Sequence, residues 1–236
     1  MIGLGGAPRV RDWSKVRLSF SGNSLAGGTG SANYGSNGPV EQLPLLDPIS
    51  GAIAIQKHAY GGQSITQLDA SAYELDHDWK SGSRNMFLFW EGTNSICNDG
   101  RTAAQALGDL QVFLANRLAI NPNWKIGLLT ALPRQQGPAM SGSQSDIDTF
   151  NQRLVDWNTG VKQFYRAFGA HFVVDVRQPG SPFNFPDYSP STFALRDDLW
   201  SEPAGGRVHL TDAGYAVICR FIANALYRAP LPVMQP

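Results

Sequence analysis

Four short stretches of this chain carry the residue types that serine-based acyl transfer uses. Ser24 lies in Phe20-Ser21-Gly22-Asn23-Ser24-Leu25-Ala26-Gly27-Gly28, directly after the alternating run Val16-Arg17-Leu18-Ser19-Phe20. Glycines there tolerate a sharp strand-to-helix turn, and the serine oxygen stands clear of bulky neighbours. Gly62 lies in Tyr60-Gly61-Gly62-Gln63-Ser64, Asn94 in Gly92-Thr93-Asn94-Ser95, and His209 in Val208-His209-Leu210-Thr211-Asp212-Ala213-Gly214-Tyr215. Acyl transfer by a serine needs a base for the hydroxyl proton and donors aimed at the oxygen that becomes negative. Together the four stretches hold that set. By itself a Gly-x-Ser in a glycine-rich loop reads more readily as a flexible turn, so the partners decide.

The chain has 4 histidines, which allows each to be weighed. His58 ends one expected strand and His171 opens another, and both read as packed or partly solvated side chains. His77, in Asp76-His77-Asp78, reads as a surface group, because no second His or Cys stands at metal-ligand spacing. His209 alone precedes a capped helix. Asp212 serves that helix start, where negative charge is favourable, and Asp175 ends a strand, where it caps a turn or meets substrate.

The elements that must position these residues follow from hydrophobic periodicity. Val16 to Phe20 reads as a strand, and Ala52-Ile53-Ala54-Ile55 begins a second that runs toward Gly61. Met86-Phe87-Leu88-Phe89-Trp90 is continuously apolar, as in a strand covered on both faces. Lys125 to Ala131 and His171 to Val176 complete a set of about five strands. A short helix begins near Ile65. A longer one covers Arg101 to Leu118, with Ala103, Leu107, Leu110, Leu114 and Leu118 on one face. The most regular runs from Ser145 to Phe168, where Ile147, Phe150, Leu154, Trp157, Val161, Phe164 and Phe168 keep a three-and-four spacing and read as core. Thr211 caps a last helix with inward rows Val217, Phe221, Ala225 and Ile218, Ile222, Leu226, and Cys219 beside them reads as a packed thiol. Residues 27–51 show neither period. Strands alternating with helices imply an α/β fold, a parallel sheet between helical layers, with every long loop leaving a strand's C-terminal end. Such sheets bind ligands along that edge.

With 236 residues and 42% hydrophobic content, one domain of the larger α/β kind is expected over 1–236, with a proline-spaced tail at 229–236. The balance of 19 basic against 19 acidic residues, at 16% charged overall, gives no field that would gather nucleic acid or an anionic membrane. The expected partner is a small molecule or a glycan. Two cysteines define no disulfide framework, and neither a signal peptide nor a transmembrane run is visible. That leaves the compartment open between the cytoplasm and a place on a larger extracellular or viral assembly, and it leaves the oligomeric state open. Tyr34, Tyr60, Phe183, Phe185, Tyr188 and Trp200 fall on expected mouth loops, where they stack against sugar rings or acyl chains, or pack their own loops down.

The order of these blocks resembles the SGNH, or GDSL-type, hydrolase family over nearly the whole chain. The family's Gly-Asp-Ser-Leu is matched by Gly22-Asn23-Ser24-Leu25, its second-block glycine by Gly62, its Gly-x-Asn-Asp by Gly92-Thr93-Asn94-Ser95, and its Asp-x-x-His by Gly206-Arg207-Val208-His209. The resemblance implies a three-layer α/β/α sandwich with a flavodoxin-like sheet. It implies Ser24 as nucleophile, His209 as general base, and an oxyanion hole from the N–H groups of Ser24 and Gly62 with the Asn94 amide. It implies neither metal nor cofactor.

Three positions depart from the pattern. Asn23 and Ser95 replace acids that look peripheral to the proton path, and Gly206 occupies the place of the triad acid. Either a carboxylate from the preceding loop replaces it, with Glu202, Asp198 and Asp197 nearest in sequence, or a backbone carbonyl holds the imidazole. The carbonyl is the favoured reading, because Glu202 would have to fold back across Pro203-Ala204-Gly205-Gly206. The rival α/β-hydrolase fold expects several strands before its serine, and here there is one. The expected activity is therefore a serine esterase acting on short acyl groups, such as acetate on a carbohydrate. The alternatives are a lipase or thioesterase for longer chains, and a glycan-binding module that kept the scaffold without the acid.

Overall fold

The computed structural model describes residues 12–31, 37–47, 49–52, 54–135, 143–183, 198–201 and 208–229. Five strands form one parallel sheet: β1 (Val16–Gly22), β2 (Ala54–Ala59), β3 (Arg84–Trp90), β4 (Lys125–Leu129) and β5 (Phe172–Val174). The helices are α1 (Ser24–Gly27), α2 (Pro39–Gln42), α3 (Ile65–Ala70), α4 (Tyr73–His77), α5 (Thr93–Cys97), α6 (Ala103–Ile120), α7 (Gln144–Phe164) and α8 (Asp212–Arg228). The strand order is β2-β1-β3-β4-β5, the flavodoxin-like order. The order reverses between β1 and β3, and at such a crossing point the loops above two neighbouring strands diverge and leave a crevice. Ser24 and Asn94 follow those two strands.

Side-chain alternation on β3 divides the core in two. Met86, Leu88 and Trp90 enter one cluster with Val16, Leu18 and Phe20 of β1 and Ile218, Ile222 and Leu226 of α8. Phe87 and Phe89 enter the other with Leu110, Phe113 and Leu114 of α6 and Leu154, Trp157 and Val161 of α7. Each of these buried side chains contributes roughly 1.5–3 kcal/mol relative to exposure, which makes the two helical layers the main clamp on the sheet.

Several boundaries move from their expected places. β2 starts at Ala54 and extends to Ala59, α7 ends at Phe164, and Phe164 is 41% exposed because the helix leaves the core at its last turn. The inward face of α6 is Ala106, Leu110, Phe113, Leu114 and Arg117, rotated from the expected row. Arg117 is buried there because its guanidinium meets Asp69 and Asp76, at 3.2 Å each, and charge pairing lets a cation occupy an apolar face. Residues 27–51, expected to lack any period, contain α2 and the short 3-10 turns Leu43–Leu45 and Ile49–Gly51.

Candidate functional site

Ser24 opens α1 at the C-terminal end of β1, and the N–H at that position has no intrahelical acceptor. Asn23 caps the helix, its Oδ1 accepting the Leu25 N–H at 2.9 Å. The turn requires glycine at position 22, where φ is +155° and a Cβ would run into the Trp90 carbonyl. That close approach is also what joins β1 to β3 at the rim, through the Asn23 N–H donating to Trp90 O at 3.2 Å. Ser24 is half-buried, and its Oγ lies 3.1 Å from His209 Nε2. The pair spans 185 residues of sequence.

His209 sits between Trp200 and α8. Trp200 and Leu210 form an antiparallel bridge, the Ser201 N–H donates to His209 O at 3.0 Å, and the Thr211 N–H donates to Leu199 O at 3.0 Å. Thr211 caps α8, accepting the Gly214 N–H at 3.2 Å. Asp212, at the first turn of α8, also accepts from Asn37 Nδ2 at 3.0 Å, so it ties the loop before α2 to the helix start.

The second and third turns adjoin the serine. A Cβ on Gly61 would lie 4.0 Å from that of Ser24, and Gly62 has φ of +77° with open space beside it. Asn94 Nδ2 donates to Gln63 O at 3.0 Å, and Asn98 Nδ2 to Gly62 O at 3.3 Å, so α5 holds the turn that contains Gly62. Arg134 Nη2 donates to Asn94 Oδ1 at 3.3 Å, which assigns the amide's orientation: the oxygen faces the guanidinium and the NH2 faces the turn. Ser24, His209, Gly62 and Asn94 thus share one rim. Glu202, Asp197 and Gly206 lie outside the described residues. Asp198 O accepts from the Thr211 hydroxyl at 2.7 Å, a backbone role.

Two residues of this rim escaped the sequence reading, Arg134 and Glu91. Glu91 is 1% exposed directly beyond β3. Its carboxylate accepts from Asn23 Nδ2 at 3.1 Å, from the N–H groups of Gly92, Asn94 (3.1 Å) and Ser95 (2.8 Å), and from Ser95 Oγ at 2.9 Å. Ser95 Oγ in turn accepts the Ile65 N–H at 3.0 Å. Burial pushes the Glu91 carboxyl above its ordinary value, while the surrounding donors pull the other way. The signal in the sequence was an acid set directly after five apolar residues of a buried strand. Asn23 and Ser95 do stand apart from the Ser24–His209 contact, and both face Glu91.

The remaining candidates have structural partners. His171 Nδ1 accepts the Ile126 N–H at 3.2 Å, and burial with the nearby Lys125 charge lowers its pKa to about 4. His58 Nε2 lies 2.6 Å from Asp78 Oδ2, and His77 packs its ring on Tyr73. Asp175 accepts from the Arg177 N–H at 3.1 Å and from Lys162 at 3.1 Å, the turn-capping alternative. Burial raises Cys219 to about 12, as suits a packed thiol. Phe183 and Trp200 are buried edge to face, 6.3 Å apart, so they pack their loops down. The Tyr60 hydroxyl donates to Glu74 at 3.1 Å, and Tyr34, Phe185 and Tyr188 lie outside the described residues. Among the described residues, no group of three or more His, Cys, Asp or Glu could hold a metal ion, and no helix is long and apolar enough to cross a membrane.

No protein-family model and no curated protein matches the sequence. Solved structures do match it in fold. A GDSL-like lipase from Bacteroides thetaiotaomicron superposes with a TM-score of 0.63 at 18% identity, over 90% of this chain and 88% of the other. A member of the lipolytic protein G-D-S-L family from Veillonella parvula gives 0.60 at 14% identity, over 90% and 99%. A variant of an acetyl-xylooligosaccharide esterase from Geobacillus gives 0.57 at 14% identity, over 89% and 93%. The five-stranded parallel sheet and its flanking helices are the SGNH hydrolase fold.

Proposed function

We propose that this chain, built on the SGNH hydrolase fold, is a serine esterase that cleaves carboxylic esters through an acyl-enzyme. The observation that carries the reading is the 3.1 Å contact between Ser24 Oγ and His209 Nε2 at the sheet's crossing point. At that separation the imidazole takes the hydroxyl proton as Ser24 Oγ attacks the ester carbonyl carbon. The carbonyl oxygen becomes negative and is met by the N–H groups of Ser24 and Gly62 and the Asn94 amide. His209 then returns the proton to the departing alcohol, leaving an acyl-Ser24 ester. Water, deprotonated by the same imidazole, attacks that ester; the bond to Ser24 Oγ breaks, His209 returns the proton to that oxygen, and the acid leaves.

His209 Nδ1 needs an acceptor to hold the ring in this tautomer. A backbone carbonyl is the favoured one, and a carboxylate at Glu202, Asp198 or Asp197 is the alternative. Glu202→Gln, Asp198→Asn and Asp197→Asn separate them: kcat stays within a few-fold in all three for a carbonyl and falls about 10⁴-fold in the one that removes a supporting carboxylate.

For substrate we favour a short acyl group, acetate on a carbohydrate, because the turns around Ser24 are polar and glycine-rich. Phe183 and Trp200, being buried, lend that choice no support. Hydrolysis of a series of esters tests it, and faster turnover of octanoyl than acetyl esters would move the assignment to a lipase or thioesterase. A serine-directed fluorophosphonate tests the reaction class. Labelling of the wild type, abolished in Ser24→Ala, is the expected result. A folded wild type that takes no label is instead a binding module.

A further inference from the structure

The turns that carry the three oxyanion donors share one buried anion. Glu91 reaches the Ser24 turn through Asn23 Nδ2, which donates at 3.1 Å from the same side chain that caps Leu25. It reaches the Asn94 turn directly, through three consecutive-turn N–H groups at Gly92, Asn94 and Ser95. The Gly62 turn is reached through Ser95 Oγ, which donates to Glu91 at 2.9 Å and accepts the Ile65 N–H at 3.0 Å, three residues beyond Gly62. Among the described residues, every hydrogen bond to this carboxylate comes from a donor. An ionised carboxylate only accepts, so it satisfies all of them at once, whereas a neutral amide would set its own NH2 against an N–H. Hydrogen bonds to a charged acceptor are also about twice as strong as neutral ones, which suits the group to fixing three turns.

We propose that Glu91 is the positioning residue that sets the mutual geometry of the Ser24, Gly62 and Asn94 donors, and that Asn23 and Ser95 are uncharged because each must donate to it. The inference rests on the esterase reading above for its kinetic consequence. It accounts for both substitutions in the Gly-x-Ser-Leu and Gly-x-Asn turns through one side chain. A carboxylate at position 23 or 95 would face Glu91 in a buried site, and two like charges there repel while leaving N–H groups and lone pairs mismatched. The negative charge is supplied once, from the β3 end, and the other two turns turn donors toward it.

The test is an exchange of charge across the Asn23–Glu91 contact, read as kcat and KM on a phenyl acetate series. Glu91→Gln is expected to lower kcat about 100-fold while KM stays within about threefold, because misaligned donors weaken binding of the transition state rather than the ester. Asn23→Asp alone brings two carboxylates together and lowers kcat comparably. In the double variant Asn23→Asp/Glu91→Gln, the carboxylate at position 23 can accept the Leu25 N–H and the new amide, so kcat rises about tenfold above the poorer single variant, and it stays below wild type because the same NH2 faces the Gly92 and Asn94 N–H groups. Ser95→Ala, which removes the hydroxyl that donates to Glu91 and accepts the Ile65 N–H, lowers kcat about tenfold with KM within about threefold. Glu91→Gln with wild-type kcat, or a double variant no better than the poorer single one, overturns the inference. If Glu91→Gln does not fold, recovery in the double variant and the kcat of Ser95→Ala decide it. A wild type with no Ser24-dependent turnover defeats the esterase reading itself, and that result is distinct from a wild type that turns over while Glu91→Gln matches it.

Discussion

The proposed donor side and the proposed base side of the Ser24 rim are held by different physics. On the donor side, the turns after β1, β2 and β3 lie on adjacent strands and are joined by short polar contacts: Asn23 to Glu91, Glu91 to Asn94, Ser95 to Ile65, and Asn94 to Gln63. On the base side, His209 arrives from the far end of the chain. It is held by the Trp200–Leu210 bridge, by the Tyr215 hydroxyl donating to Thr29 O at 2.6 Å, and by packing against Gly30. One side is a wired cluster with its charge in the middle. The other is a segment pressed into place by apolar neighbours such as Leu199, Trp200, Leu210 and Tyr215, all nearly inaccessible. The difference teaches that losses on the donor side should appear in the chemical step, and losses on the base side should divide between chemistry and packing.

The largest effect expected from breaking this comparison is His209→Ala, which should lower kcat/KM about 10⁴-fold or more while leaving the fold intact, as measured by ester hydrolysis beside circular dichroism. A variant retaining a tenth of the wild-type rate would remove His209 from the proton path. On the donor side, Asn94→Ala should cost about 2.7–4 kcal/mol of transition-state stabilisation, seen as lost kcat with little change in KM. An equal rise in KM and retention of kcat would mean that Asn94 holds the ground state instead.

Gly30→Ala sharpens the base side. Gly30 has φ of +93°, and a Cβ there would come within 2.5 Å of Ser201 Oγ, 2.7 Å of His209 Cβ and 2.8 Å of Leu210 O. Chemical denaturation should show a loss of about 1–3 kcal/mol from overpacking, with activity falling further than stability because the imbalance displaces the imidazole. If stability falls while the remaining folded protein keeps full kcat, the histidine segment is held by something other than this contact.

The smallest effect lies away from the site. His171 titrates at about 4 in the folded chain, below the ordinary 6.5, because burial and Lys125 disfavour its charged form. The unfolded chain therefore binds this proton first as pH falls. The contribution to stability is complete above about pH 6.5 and is lost as pH drops from there through about 4. His171 is largely exposed as a residue, so after solvent screening the change should stay below about 1 kcal/mol. Melting temperatures of wild type and His171→Gln should converge between pH 6.5 and 4, and parallel curves would count against it.

Most of the fold was legible because both helix and strand patterns were strong. Met86 to Trp90 could only be a strand covered on two faces, and the spacing of Ile147, Phe150, Leu154, Trp157 and Val161 could only be one buried face of a helix. Where the pattern misled, a partner distant in sequence had overridden it. Arg117 belongs to the buried face of α6 because Asp69 and Asp76 meet it. For Phe183 and Trp200 the sequence left mouth lining and loop packing both open, since an aromatic in a loop carries no periodicity to say which way it faces, and the fold selects packing.

The site divides the same way. The types and order of Ser24, Gly62, Asn94 and His209 were fixed by the sequence alone, since small residues after apolar runs mark strand ends and Thr211 marks the start of α8. That Ser24 and His209 stand 3.1 Å apart was decided by tertiary structure, because closing 185 residues into one contact depends on the β2-β1-β3 order and on packing of α8. The role of Glu91 belongs wholly to the fold. A lone acid beyond a buried strand has no meaning until the chain shows what faces it, and here five donors from two turns surround one carboxylate that water does not reach.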